Sequence, residues 1–320
     1  MPWFDLPLEQ LREYRTETAE PPALDLWWQQ RLDEARAEAR EPTLTRYEAD
    51  IYAPVEVYDT EFSGAGGDRI RAWYLRPAGA HGQTPVVVKF IGYGGGRGLP
   101  IEHTLLPALG YSLFVMDTRG QGGRWTTGAT GPENSQVMTR GIGRPEDYYY
   151  TRLFTDAAMA VETASMLAGA PRVAVSGLSQ GGGLALATAA LVPQAVAVCH
   201  ADIPFLCDIQ RAVTLAPDAP YTEVPEFLAH HLELIPAALD TLRYVDCALL
   251  ARRITARCLL SVGLMDTICP PSTVFAAYNE ITAGKDISVH PFTGHVVPAA
   301  HVERQLRHFR DFLVGADQPG

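Results

Sequence analysis

Positive charge is scarce in this chain. Lysine and arginine together number 26 against 37 acidic residues, for a formal net charge of -11. Nucleic acids and anionic membrane surfaces are held by basic patches, so neither is expected as a partner. Long hydrophobic runs are missing too: no stretch approaches the roughly 18 uninterrupted apolar residues that span a bilayer. The opening Met1-Pro2-Trp3-Phe4-Asp5-Leu6 has no basic segment and no long apolar stretch, so no secretory signal is expected. Cysteine is sparse and odd in number. Cys199, Cys207, Cys247, Cys258 and Cys269 form no C-x-x-C pair. That spacing argues against a metal site or a cysteine nucleophile, and reduced, buried thiols in a cytoplasmic protein are the expectation. There is no internal repeat and no low-complexity tract.

What is present is core-forming material. Of 320 residues, 47% are hydrophobic and 20% charged, enough for one α/β unit with a large buried core. Apolar spacing predicts two helices within residues 7–40, with Leu8, Leu11 and Tyr14 on one face, then Leu24, Trp27, Trp28, Arg31 and Leu32 on another after Pro21-Pro22. The charge-rich run from Arg31 to Glu41 reads as a solvated face. Segments 47–62 and 69–76 read as extended, joined by the turn residues 63–68. Apolar strands over 85–91, 112–117, 172–176, 195–200, 258–264 and 286–292 then alternate with helical stretches, including 147–168 and a final helix over 299–314. Such alternation predicts a mostly parallel sheet with helices on both faces, residues 1–45 forming a helical extension of a single domain. Residues 203–250 break the alternation with proline-punctuated helical segments and read as a lid-like insertion beside the site.

The most telling stretch is Gly177-Leu178-Ser179-Gln180-Gly181. A strand precedes it and small helix-forming residues follow, so Ser179 sits at the apex of a sharp strand-to-helix turn that lifts its hydroxyl above the sheet edge. A serine hydroxyl is a weak nucleophile and needs a base, itself oriented by an acid; in α/β-hydrolases these follow in the order acid, then histidine. Asp266 lies just past the strand 258–264, where open α/β sheets place their sites. Its competing role is to cap the helix that begins near Pro271. Of nine histidines, His295 follows the strand ending at Phe292 and precedes the last helix. The others fit less well: His81 and His103 come too early, and His200 precedes the acid. His230 and His231 lie in the insertion, His290 lies inside a strand, and His301 and His308 are expected on the polar side of the final helix. Ser179 would attack an ester carbonyl, His295 would carry the proton, and Asp266 would hold the imidazole. The oxyanion calls for two donors: the Gln180 N–H and one from the loop Gly92-Tyr93-Gly94-Gly95-Gly96-Arg97-Gly98. That loop lacks the G-K-[ST] ending of a phosphate cradle.

These residues resemble the cephalosporin C deacetylase and acetylxylan esterase family, carbohydrate esterase family 7, of the α/β-hydrolase superfamily. The likeness is carried by the G-x-S-Q-G-G form of Gly177–Gly182, by Arg119-Gly120-Gln121 after Asp117-Thr118, and by the order Ser179, Asp266, His295 with Pro270-Pro271 after the acid. The resemblance implies removal of acetyl groups from small acetylated substrates, such as xylo-oligosaccharides and cephalosporin C, without metal or cofactor. It implies the Tyr93 backbone N–H as second oxyanion donor. It also implies an intracellular homohexamer whose sites face an inner cavity. Two positions depart from the family pattern: Ile91 stands where many members have histidine, and Val296 where many have glutamate. Without that glutamate, Arg119-Gly120-Gln121 reads as a structural loop anchor near the site. The same scaffold also serves acyltransferases and dienelactone-type hydrolases, whereas a peptidase with a propeller has no room here. A non-catalytic relative would have lost a triad member, and none is lost. Trp125 and Tyr148-Tyr149-Tyr150 offer rings to a sugar, but packing is the favoured use of such aromatics.

Overall fold

The computed structural model describes residues 4–48, 51–80, 84–122, 126, 128 and 136–314. The expectations for Met1–Trp3, His81, Trp125 and much of the loop 118–146 fall outside those residues. Two helices open the chain, α1 (Leu8–Glu13) and α2 (Leu24–Ala37). Leu24, Trp28, Leu32 and Ala35 recur at helical spacing on α2 and are buried. Strands β1 (Thr43–Arg46), β2 (Val55–Ser63) and β3 (Arg69–Pro77) follow. Next come β4 (Val86–Phe90), α3 (Leu105–Ala108), β5 (Ser112–Met116) and α4 (Tyr149–Ala168). β6 (Val173–Leu178) leads into α5 (Gln180–Leu191), and β7 (Val196–Asp202) comes after it. The segment 203–250 folds as α6 (Ile209–Leu215), α7 (Glu223–Ala229), α8 (Ile235–Tyr244) and α9 (Cys247–Leu250). β8 (Arg257–Gly263), α10 (Pro271–Glu280), β9 (Lys285–His290) and α11 (Ala299–Phe309) complete the order.

Among the described residues the strands form one nine-stranded sheet in the order β1-β2-β3-β5-β4-β6-β7-β8-β9. β1, β2 and β3 pair antiparallel, and every pairing from β5 to β9 is parallel. The parallel strands β4 to β8 are near-continuous apolar runs because both faces are covered: a large core lies under α4, α5 and α9, a smaller one around Trp73, Val87, Val115 and Phe309. Edge strand β9 is only half-buried. Their carboxyl ends gather at one edge, where the loops after β4, β6, β8 and β9 meet.

Two expectations need correction. The extended segment read over 47–62 is not one strand. β1 ends at Arg46 and β2 begins at Val55; β1 is exposed along its whole length, so no burial alternation marked it. His301 and His308 do not lie on the polar side of the last helix. With Gln305 and Phe309 they form the buried face of α11. His301 donates from Nε2 to Asp202 Oδ1 (2.8 Å), which leaves Nδ1 to accept from the Ser288 hydroxyl (2.9 Å). His308 pairs with His200 (3.0 Å). Partners inside the protein satisfy His301 at both nitrogens, while His200 Nδ1 and His308 Nε2 are buried with no hydrogen-bond partner among the described residues. A polar residue type thus marked a buried face. The chain's two lysines are both sequestered to a degree. Lys285 donates to the carbonyls of Tyr278 (2.7 Å), Asn279 (3.2 Å) and Ile281 (2.7 Å) at the end of α10, where a cation is favoured. Lys89 lies beside His103, 3.4 Å from Nδ1.

Candidate active site

Ser179 joins β6 to α5 with φ 58° and ψ -120°, a conformation that costs a non-glycine residue about 1–3 kcal/mol. The glycines on either side permit the turn. A Cβ on Gly177 would collide with the backbone of Gly181, and one on Gly181 with the carbonyl of Phe90 on β4. The turn is held from outside: Ser179 N donates to Asp202 O (2.9 Å), and Ser179 O accepts from Phe205 N (2.9 Å). The serine is buried to 7% exposure.

Asp266 follows β8 and is fully buried. Its Oδ1 accepts the N–H groups of Ile268 and Cys269, each at 2.9 Å. Its Oδ2 lies 2.8 Å from His295 Nδ1. A carboxylate only accepts, so Nδ1 carries the proton and Nε2 keeps its lone pair. Pro270, not Asp266, occupies the N-cap of α10, so the capping role weighed for this residue does not apply. The histidine loop docks on the same strand end: Met265 N donates to Thr293 O (3.0 Å), and a Cβ on Gly263 would press on the carbonyls of Thr293 and Gly294. Cys269, whose amide Asp266 Oδ1 accepts, is fully buried at the same turn. Burial, with the nearby Asp266 charge, pushes its thiol's pKa well up. Asp266 and His295 are therefore in direct contact, whereas Ser179 is fixed by its backbone bonds and, among the described residues, its hydroxyl makes no hydrogen bond to His295 in this structure.

The loop after β4 borders the elbow and is braced by side chains. Gln121 Oε1 accepts from Gly94 N (2.7 Å), while its Nε2 donates to Tyr149 Oη (2.8 Å) and Gln180 Oε1 (3.0 Å). Gln180 Oε1 also accepts from Tyr150 (3.0 Å), and Gln180 Nε2 donates to Ile91 O (3.2 Å). Its backbone N–H opens α5, an end that favours negative charge. Arg119 is fully buried away from the serine: its Nε and Nη2 each donate to Asp156 at 2.5 Å, and Nη1 donates to Asp68 at 2.9 Å. Tyr149 Oη donates to Arg119 O (2.6 Å). Tyr148, Tyr149 and Tyr150 are all buried, which is their packing use. Val296 is 58% exposed beside His295.

Tyr93 Oη donates to Glu223 Oε1 at 2.5 Å and accepts from Val137 N at 3.1 Å. Burial raises the Glu223 carboxyl above its usual range, against the lowering effect of the Tyr93 hydrogen bond. Sequence reasoning missed Glu223, Asp156 and Asp68, because each meets its partner only through the fold. A separate cavity of about 240 Å³ opens under the elbow between α3 and α11; Lys89, Leu106, Leu178 and Phe309 are among its lining residues. None of the three triad candidates lines it. Among the described residues no group of three or more His, Cys, Asp or Glu side chains is arranged to hold a metal. No helix among them is long and apolar enough to cross a membrane.

Comparison with known proteins gives one consistent family. The acetyl xylan esterase family model matches residues 1–312. The chain is 27% identical over 301 residues to acetyl esterase Axe7A of Xylanibacter ruminicola, an alignment covering 90% of this chain. It spans 65% of the length of that curated relative. In structure it is similar to the acetyl xylan esterase from Paenibacillus sp. R4, with a TM-score of 0.91 and 33% identity over 96% of this chain and 100% of the other. It is also similar to acetyl xylan esterase 1 from Thermoanaerobacterium sp. JW/SL YS485, with a TM-score of 0.85 and 35% identity over 95% and 98%. The fold is that of an α/β-hydrolase.

Proposed function

The chain belongs to the acetyl xylan esterase family, and on that premise we propose that it is a serine carboxylic ester hydrolase that removes acetyl groups from small acetylated substrates. The observation that carries this reading is the contact of buried Asp266 with part-exposed His295 at the sheet edge where Ser179 stands in its strained turn. Ser179 Oγ attacks the acetyl carbonyl as its proton passes to His295 Nε2. Asp266 holds the ring in the tautomer that leaves Nε2 free and stabilises the imidazolium that forms. The carbonyl oxygen takes up the negative charge and is met by the backbone N–H groups of Gln180 and Tyr93, donors worth about 3–4 kcal/mol each in the transition state. His295 returns the proton to the departing alcohol. Water, deprotonated by the same imidazole, then attacks the acetyl-serine, releasing acetate and restoring the hydroxyl.

The family resemblance supports the finer reading. The substrates are short acetylated xylo-oligosaccharides or acetyl esters of the cephalosporin C kind. The enzyme works as a cytoplasmic homohexamer, with residues 203–250 as a lid-like part of a single domain. Hydrolysis of p-nitrophenyl acetate by wild type and Ser179→Ala tests the central claim. Loss of at least about 10⁴-fold in kcat is expected in the variant. Equal rates would end the proposal. The rate should also fall steeply from acetyl to octanoyl esters.

A further inference from the structure

We propose that Glu223, in helix α7, is a positioning residue for the acyl-transfer step: it aims the oxyanion-binding loop by holding the Tyr93 side chain. The inference rests on the reading of Tyr93 as the second oxyanion donor.

The loop that carries Tyr93 has little stiffness of its own. Gly92 precedes Tyr93, and Gly94, with φ 73°, and Gly95 follow it. A backbone flanked by glycines turns easily, yet an oxyanion donor must point at one spot within a few tenths of an ångström. Two side chains supply the missing constraint. On one side Gln121 accepts from Gly94 N (2.7 Å). On the other side Glu223 accepts the Tyr93 hydroxyl at 2.5 Å, a charge-assisted bond of the strong, short kind.

Glu223 is itself fixed. Its second oxygen accepts from Met138 N (3.2 Å), while Val137 N donates back to Tyr93 Oη (3.1 Å). A carboxylate, a phenol and two consecutive amides thus close a ring joining three chain segments. The Tyr93 ring also meets Phe205 edge-on at 6.3 Å, and Phe205 N is the group that donates to Ser179 O. The tyrosine is therefore clasped at its hydroxyl and along its ring, and both contacts come from the segment 203–250. As the first residue of a surface helix, Glu223 had open solvent available to it. Its carboxylate instead lies half-buried against the loop, at a cost in desolvation that its two hydrogen bonds, from Tyr93 Oη and Met138 N, offset in part. The helices α6–α9 thereby do more than cover the site: their seating sets the direction of the Tyr93 peptide.

Steady-state kinetics on p-nitrophenyl acetate test this with Glu223→Ala, Glu223→Gln, Tyr93→Phe and the Glu223→Ala/Tyr93→Phe double variant. Removing a whole oxyanion donor costs about 10²–10³ in kcat, and a misaimed one should cost less. Glu223→Ala is expected to lose about 10- to 100-fold in kcat with KM changed less than about threefold, because the bond acts on the transition state. Glu223→Gln keeps an acceptor for the phenol and should regain most of the loss. Tyr93→Phe should match Glu223→Ala, and the double variant should be no worse than either single one. Wild-type kcat in Glu223→Ala, or losses that multiply in the double variant, would overturn the inference. If Glu223→Ala does not fold, Tyr93→Phe decides alone: it keeps the Phe205 contact, and an unchanged kcat there is equally fatal. Should wild type and Ser179→Ala hydrolyse the ester equally, the hydrolase reading itself has failed; an active wild type with a silent Ser179→Ala and an unaffected Glu223→Ala sinks only the role of Glu223.

Discussion

Asp266 divides its two oxygens between two tasks. Oδ1 closes the turn through Ile268 and Cys269, and Oδ2 holds the imidazole. Asp266→Asn separates them. The amide oxygen still accepts from the turn, while the amide nitrogen faces the ring nitrogen and forces the wrong tautomer. The expected result is a kcat lower by about 10³–10⁴ with the melting temperature nearly unchanged. A variant that retains more than a tenth of the wild-type rate would remove Asp266 from the mechanism. At this scale much was readable in the sequence. Ser179, Asp266 and His295 each stand at a strand end, and strand ends are visible as apolar runs. The partners of the loops were not: Glu223 and Tyr93 are 130 positions apart, and Arg119 and Asp156 are 37. No local pattern ties such pairs together.

Elements meet here through backbone as much as through side chains. Gly122, at φ 58°, lies so close to Gly95 and Gly96 that a Cβ would overlap their backbone atoms. The loop after β4 and the loop after β5 thus interlock with nothing between them. Gly122→Ala must part them, and it also strains its own backbone. Both a lower melting temperature and a loss of ester hydrolysis are expected, since the same loop carries Tyr93. Normal activity with a normal melting curve would show that the two loops move independently. The helix–strand alternation from β4 onward was legible because buried parallel strands are apolar throughout. Short, exposed β1 gave no such signal, and the buried face of α11 was hidden by its histidines.

Stability as a function of pH belongs to the whole molecule. Burial lowers the pKa of His200 and His290, and burial together with the nearby Arg257 charge lowers that of His308 to about 4. In the unfolded chain these rings take a proton near pH 6.5. Between about pH 6.5 and 4 the unfolded state therefore binds more protons, so their contribution to stability is lost on acidification. Buried carboxyls act in the opposite sense: burial raises Asp246 to about 7, and burial also raises Asp156, so both favour the folded state as pH falls. A difference isolates the histidine part. Calorimetry should find that the melting temperature of wild type drops further than that of His308→Gln between about pH 7 and pH 4.5. Parallel curves would mean that His308 does not stay neutral. The two lysines bear on a practical matter. One is wrapped in the carbonyls that end α10 and the other stands beside His103. Aldehyde cross-linking, activated-ester dyes and amine-coupled resins consequently find little lysine side chain to grip, and immobilising this protein calls for carbodiimide coupling through its 37 acidic residues.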